Sequence, residues 1–131
     1  MTEGYFQEIV AFLGSRTWAV SAELIRHNVL ETDEEKILVY RIKITLPGGG
    51  LLEMRERIVE SEEHCKTTTY SFRWQNRDRT LVKRWDNAPH HPELDNFPHY
   101  IHADDESDVI PGESVNALEV LAEVDRYFRQ H

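Results

Sequence analysis

Apolar residues recur with two different periods along this chain, and the change of period predicts where helices and strands lie. Near the N-terminus they recur every three or four residues, which predicts an amphipathic helix over residues 3–13. Between residues 17 and 85 they alternate with polar residues, as in strands that bury one face. A helical period returns over residues 114–130. The apolar stripe of this last helix consists of Val115, Leu118, Leu121, Val124 and Phe128.

The alternating region predicts five successive strands that are joined by short turns. The first strand is expected from Thr17, with one half-buried face. That face consists of Trp18, Val20, Ala22 and Leu24. Strands that follow one another with short connections favour an antiparallel meander. We therefore predict an α+β fold, in which an antiparallel sheet of five or six strands carries the N-terminal and C-terminal helices on one face.

Residues 86–113 do not follow this regular plan. Three of the five prolines and four of the seven histidines of the chain fall between residues 89 and 102. A connection of this length inside one domain is usually a functional loop, a disordered segment or a missed element. Tyr100 and Ile101 are candidates for a short sixth strand. We expect one domain over residues 1–131, with its chemistry in this loop.

Composition and charge narrow the class of protein. The single cysteine excludes an internal disulfide framework and a cysteine-rich zinc site. No apolar run is long enough to span a membrane, and the N-terminus does not resemble a secretory signal, so we expect a cytoplasmic protein. The formal charge of −9 argues against unselective binding to a polyanion. Residues 36–84 nevertheless carry 11 basic and 6 acidic side chains.

Six basic side chains of this middle segment form the candidate nucleic-acid-binding set. They are Arg41, Lys43, Arg55, Arg57, Arg73 and Lys83. All except Lys83, which lies near the end of the fifth strand, fall on polar strand faces by the period-two count. One interpretation is a phosphate groove, because arginine donates hydrogen bonds in the planar fork that phosphate accepts. The other is cross-strand pairing with Glu53 and Glu56.

The histidines of the loop are candidates for acid–base catalysis, because imidazole titrates near neutral pH. The candidate catalytic residues are His90, His91, His99, Asp86 and Arg84. Cleavage of RNA without a metal needs one group that takes the 2′-hydroxyl proton and one that protonates the leaving oxygen. Two other interpretations stay open. In one, a metal site is built from His90, His99, His102 and Asp104. In the other, the histidines only hydrogen-bond the backbone of the loop. No cofactor is predicted.

The loop also carries a family resemblance. The run Arg-Trp-Asp-Asn-Ala-Pro-His-His-Pro-Glu over residues 84–93, followed by Phe-Pro-His over 97–99 and by His102, resembles the TumE-type toxins of type II toxin–antitoxin pairs. The resemblance extends from about residue 36 to the final helix. It implies a toxin whose partner is a helix-turn-helix antitoxin. The resemblance also marks five residues as positions of the family motif, without indicating which of them are catalytic. They are Asp86, Asn87, His90, His91 and His99.

Two functions follow as expectations. The first is a toxin that acts on RNA through the loop histidines, as a metal-independent ribonuclease would. The alternative is a non-catalytic interaction module that works by forming a complex with its antitoxin. A homo-oligomer is open in both cases, and no membrane partner is expected.

Overall fold

The computed structural model describes residues 2–87, 99–103, 109–111 and 115–130. The elements follow in the order α1 (Thr2–Gly14), β1 (Ser21–Glu31), β2 (Lys36–Thr45), β3 (Leu51–Glu60), β4 (Cys65–Gln75), β5 (Leu81–Asp86), β6 (Tyr100–Ala103), β7 (Val109–Pro111) and α2 (Ala117–Gln130), with a 3₁₀ turn at Pro47–Gly49. Each strand pairs antiparallel with the next one in the chain. The predicted α+β class, with an antiparallel meander between two terminal helices, is confirmed.

Strands β6 and β7 lie inside the segment that the sequence predicted as a loop. Because of them, the described part of the chain holds a sheet of seven strands. β6 has four residues and β7 has three, so neither is long enough to show an alternating pattern of its own. β6 contains Tyr100 and Ile101, the pair that was a candidate sixth strand.

The core lies between the two helices and one face of the sheet, which we call the inner face. Strand alternation places apolar side chains of β2, β3 and β4 on that face, including Ile44, Leu52 and Phe72, which are fully buried. The helices cover them with Phe6, Ile9 and Leu13 from α1 and with Val120, Leu121 and Val124 from α2. The opposite face, which we call the outer face, carries most of the basic side chains of the middle strands.

Strand β1 differs from its prediction in both position and burial. Trp18 is buried, but it precedes the strand; its indole Nε1 donates a hydrogen bond of 2.9 Å to Asp125 Oδ1, and its ring stacks on Phe128. The strand itself begins at Ser21, and all eleven of its residues are exposed. The prediction of a half-buried first strand is therefore wrong. The reason is that, within the described ranges, β1 pairs only with β2, and none of its residues belongs to the core beneath the helices.

A β-bulge in β1 decides which side chains reach the outer face. Leu24 is opposite Ile42 and Arg26 is opposite Arg41, so Ile25 is an extra residue. Without the bulge, Arg26 would share a face with Leu24, which is the inner face. With the bulge, Arg26 lies on the outer face beside Arg41.

Candidate functional site

Three arginines lie directly opposite one another across three neighbouring strands of the outer face. Arg26 of β1 pairs with Arg41 of β2, and Arg41 pairs with Arg55 of β3. Like charges that face each other across strands destabilise a sheet. We call these three residues the arginine row. Their positive charge is concentrated at a cost to the fold, and an anion bound there would relieve it.

The arginine row borders an open cavity of about 460 Å³. Its polar and aliphatic lining includes Ile25, Arg26, Val39, Arg41, Arg55, Arg57 and Thr69. Arg26 Nε donates to Asn28 Oδ1 at 2.8 Å, and Arg57 Nη1 donates to Thr68 Oγ1 at 2.9 Å, so these partners are uncharged. Among the described side chains around this cavity, the ion pair is that of Arg41 with Glu53 at 2.6 Å.

A second row runs beside the first and ends at a histidine. Across β2 to β6, Lys43 is opposite Glu53, Glu53 is opposite Arg73, Arg73 is opposite Arg84, and Arg84 is opposite His102. A smaller cavity of about 220 Å³ lies between the two rows. It is lined by Glu53, Arg55, Ser71, Arg73 and Arg84. Arg55 therefore borders both cavities and connects the rows.

At the end of the second row, Asp86 holds His102 and faces Arg84. His102 Nε2 lies 3.0 Å from Asp86 Oδ2, and Arg84 Nε lies 3.2 Å from the same oxygen. Asp86 is 3% exposed and His102 is 9% exposed. A carboxylate bonded to one ring nitrogen fixes the orientation and the tautomer of an imidazole. We call Asp86 and His102 the acid–base pair, because this arrangement suits a histidine that gives or takes a proton.

Two members of the predicted sets lie on the inner side of the sheet instead. Lys83 pairs with Trp74 in the register of β4 and β5, and its Nζ bonds both carboxylate oxygens of Glu123 on α2, at 2.9 and 3.1 Å. Lys83 therefore lies on the opposite face from the other five predicted nucleic-acid-binding residues, because the alternation along β5 turns it away from Arg84. His99 Nδ1 lies 2.8 Å from the hydroxyl of Tyr70, a residue of the inner face.

The Tyr70 hydroxyl that meets His99 stays protonated. Burial, together with the charge of Asp86, raises the pKa of Tyr70 to about 12. The two rings are stacked with their centroids 5.8 Å apart. His99 thus makes a structural contact at the edge of the core, on the opposite side of the sheet from His102.

The remaining predicted residues cannot be placed in this way. His90 and His91, with Asp104 of the metal alternative, lie outside the described residues. Within the described ranges, no three histidine, cysteine or acidic side chains come together as a metal site. The two described members of that alternative, His99 and His102, are bonded to different partners on different faces.

Glu56 was considered as an outward partner for the arginines, and this is wrong. It lies on the inner face and is 2% exposed. One of its oxygens, Oε2, accepts hydrogen bonds from the hydroxyls of Tyr5, at 2.7 Å, and Tyr40. Burial raises the pKa of Glu56 to about 7, against the lowering effect of these two hydrogen bonds. Its place could have been found from the sequence, because it follows Leu52 and Met54 at the inward spacing of β3.

Comparison with known protein families identifies the family of this chain. A sequence model of the family described as Toxin TumE matches residues 16–128. The chain belongs to the TumE toxin family. No curated protein and no solved structure matches it. Membership identifies the chain as a toxin component and suggests an antitoxin partner in general. In the described part of the chain, no helix is long and apolar enough to cross a membrane.

Proposed function

We propose that this chain is a toxin that cleaves RNA, binding the phosphate backbone on the outer face of its sheet. The observation that carries the proposal is the arginine row, connected through Arg55 to the acid–base pair of Asp86 and His102. Metal-independent phosphodiester cleavage requires cations near the phosphate and two groups that transfer protons, and this face supplies the cations and one positioned histidine.

The arginine row and the neighbouring Arg57 supply the binding. Arg55 makes no ion pair or hydrogen bond with any described residue, and Arg57 bonds a threonine, so both guanidinium groups are available to phosphate oxygens. Lys43 and Arg73 extend the positive surface along the second row. Because the whole chain is acidic, its long-range field opposes duplexes in general and limits binding to contacts made on this face.

The acid–base pair supplies the proton transfer. In the proposed reaction the 2′-oxygen of a ribose attacks the adjacent phosphorus, and the bond from phosphorus to the 5′-oxygen breaks. The products are a 2′,3′-cyclic phosphate and a 5′-hydroxyl. His102 moves one of the two protons, and Arg84 faces the charge on phosphorus. His90 and His91, four and five positions after Asp86 in the sequence, are the candidates for the second proton.

A second candidate function is an interaction module that acts only through a complex with a helix-turn-helix antitoxin. The contact between His99 and Tyr70 favours it, because this motif histidine is bonded to a side chain of the core and lies away from the acid–base pair. The two functions differ in what happens to RNA.

Induced expression without the antitoxin separates them. The parent chain should arrest growth and degrade total RNA, and His102→Gln should relieve both, because glutamine can still bond Asp86 but cannot carry the proton. His64→Ala, in an exposed turn, is the control and should stay toxic. Circular dichroism of the purified variants checks that they fold. A folded His102→Gln that remains fully toxic contradicts the catalytic assignment, and growth arrest with intact RNA favours the interaction module.

A further inference from the structure

We propose that the free edge of β1 is the interface between two copies of this chain, which pair antiparallel about a two-fold axis and continue one sheet into the other. β1 is at the end of the sheet and, among the described residues, pairs only with β2. All eleven of its residues are exposed. Proteins normally shorten, cover or charge such edges, because unpaired backbone groups recruit another strand. A long uncovered edge is therefore a surface that a partner strand completes.

The apolar side chains of this edge are those expected of an interface. Most of the large hydrophobic residues that the described chain exposes belong to β1 or directly precede it. They are Val20 (61% exposed), Leu24 (52%), Ile25 (44%), Val29 (42%) and Leu30 (59%). On the inner side, Val20 and Leu24 border a groove of about 480 Å³ together with Val10 and Leu13 of α1. A contiguous apolar surface of this kind marks an interaction site.

The charges of β1 favour a second copy as the occupant. Glu23 and Arg26 are both on the outer face, because the bulge at Ile25 shifts the alternation between them. A two-fold axis that passes between Leu24 and Ile25 places Glu23 of each copy opposite Arg26 of the other. Two ion pairs then form. On each side of the axis, the side chains that lie opposite each other in the two β1 strands point to the same face of the joined sheet. The same register brings the two copies' Leu24 together on the inner face and their Ile25 together on the outer face, both near the axis.

This arrangement also reduces the charge repulsion within the arginine row. Arg26 faces Arg41 within its own sheet. The carboxylate of Glu23 from the second copy would lie on the other side of Arg26 and offset that repulsion. An unrelated partner strand would have to bring its own carboxylate to this position, whereas the second copy carries it.

Sedimentation velocity of the purified chain over a range of concentrations tests the proposal. The parent should dimerise. Glu23→Arg and Arg26→Glu should each weaken the dimer roughly tenfold, because each variant turns two attractive pairs into two repulsive ones. The double variant with both changes should return to near the parent affinity. Glu62→Arg, a charge reversal in the exposed turn after β3, should leave the affinity unchanged.

The outcomes that overturn the proposal are equally definite. A parent chain that stays monomeric at every soluble concentration contradicts it, including the case in which β1 binds only the antitoxin. So does a dimer whose affinity the two charge reversals leave unchanged, or one that the double variant does not restore. Arg26 also belongs to the arginine row, so RNA cleavage is compared between the parent and Glu23→Arg, which leaves the arginine row, His102 and Arg55 unchanged.

Discussion

Replacing Glu56 with glutamine should remove a pH dependence of stability that the buried carboxyl imposes on the fold. The group is 2% exposed and lies between α1 and the sheet. Its Oε1 has no hydrogen-bond partner among the described residues, so only one of its oxygens is compensated for the loss of water. Burial raises its pKa from the ordinary 4.5 to about 7. The folded state therefore binds this proton more tightly than the unfolded state does.

The sign and size of the effect follow from that difference. The stabilisation that Glu56 contributes to the free energy of unfolding is fully present below pH 4.5. It declines as the pH rises through about 7, because the folded protein must then ionise the buried carboxyl. A rise of the pKa from 4.5 to about 7 corresponds to roughly 3 kcal/mol in the ionised limit. Between pH 5 and pH 8 the free energy of unfolding should fall by about 2–3 kcal/mol from this group.

Urea denaturation followed by tryptophan fluorescence measures this directly. The midpoint of the parent should be lower at pH 8 than at pH 5 by roughly 1 M urea. Glu56→Gln should lose most of this dependence, whatever its absolute stability, because glutamine does not titrate. Glu62→Gln, in an exposed turn, is the matched control and should keep the parent's dependence. Parallel pH profiles for the parent and Glu56→Gln would refute the reasoning.

Two further substitutions test the core and the binding face. Leu121→Ala should lower the free energy of unfolding by about 2–5 kcal/mol, because Leu121 is fully buried. Leu118 is only half-buried, so Leu118→Ala should lower it less. Urea denaturation measures both variants. A loss below about 0.5 kcal/mol at Leu121 would contradict its place in the core. Arg55→Gln should reduce the slope of log affinity for single-stranded RNA against log salt by about 1, measured by fluorescence anisotropy. Arg77→Gln, in an exposed turn, should leave the slope unchanged, and equal slopes for the parent and Arg55→Gln would contradict the phosphate contact.

The order of elements could be predicted from the sequence because period carries that information. Alternation along β2 to β4 separates an apolar face from an arginine-bearing face, and this placed Arg41, Arg55 and Arg57 together on the outer face. The stripe of α2 likewise predicted burial at Leu121 and Val124. Whether these side chains are buried or exposed depends on local periodicity, which can be read from the sequence.

The parts that could not be predicted depend on tertiary arrangement. Arg26 was missed because one bulge residue, Ile25, reverses the face of every later side chain of β1. β1 is exposed because the helices cover other strands, and the alternating pattern of the sequence does not indicate which strands the helices cover. Lys83 and Arg84 are neighbours in the sequence, but successive strand residues point to opposite faces, so only Arg84 joins the outer face.

The acid–base pair shows the same limit. Asp86 and His102 are sixteen residues apart, and β6, which brings them together, is too short to be read from its pattern. Among the described histidines of the loop, His102 meets the predicted Asp86 and Arg84, whereas His99 meets Tyr70. The sequence indicated the residue types that the site uses. Strand pairing decides which histidine meets the carboxylate.

The most direct test of RNA cleavage is the reaction of the purified chain with a defined single-stranded RNA, with and without a chelator. The parent should release a product that ends in a 2′,3′-cyclic phosphate in both conditions, and a 2′-deoxy substitution at the cleaved position should prevent the reaction. His102→Gln should slow cleavage by about 10²–10⁴-fold, the usual contribution of a histidine that transfers a proton. No cleavage by the folded parent, or equal rates for the parent and His102→Gln, would contradict the account.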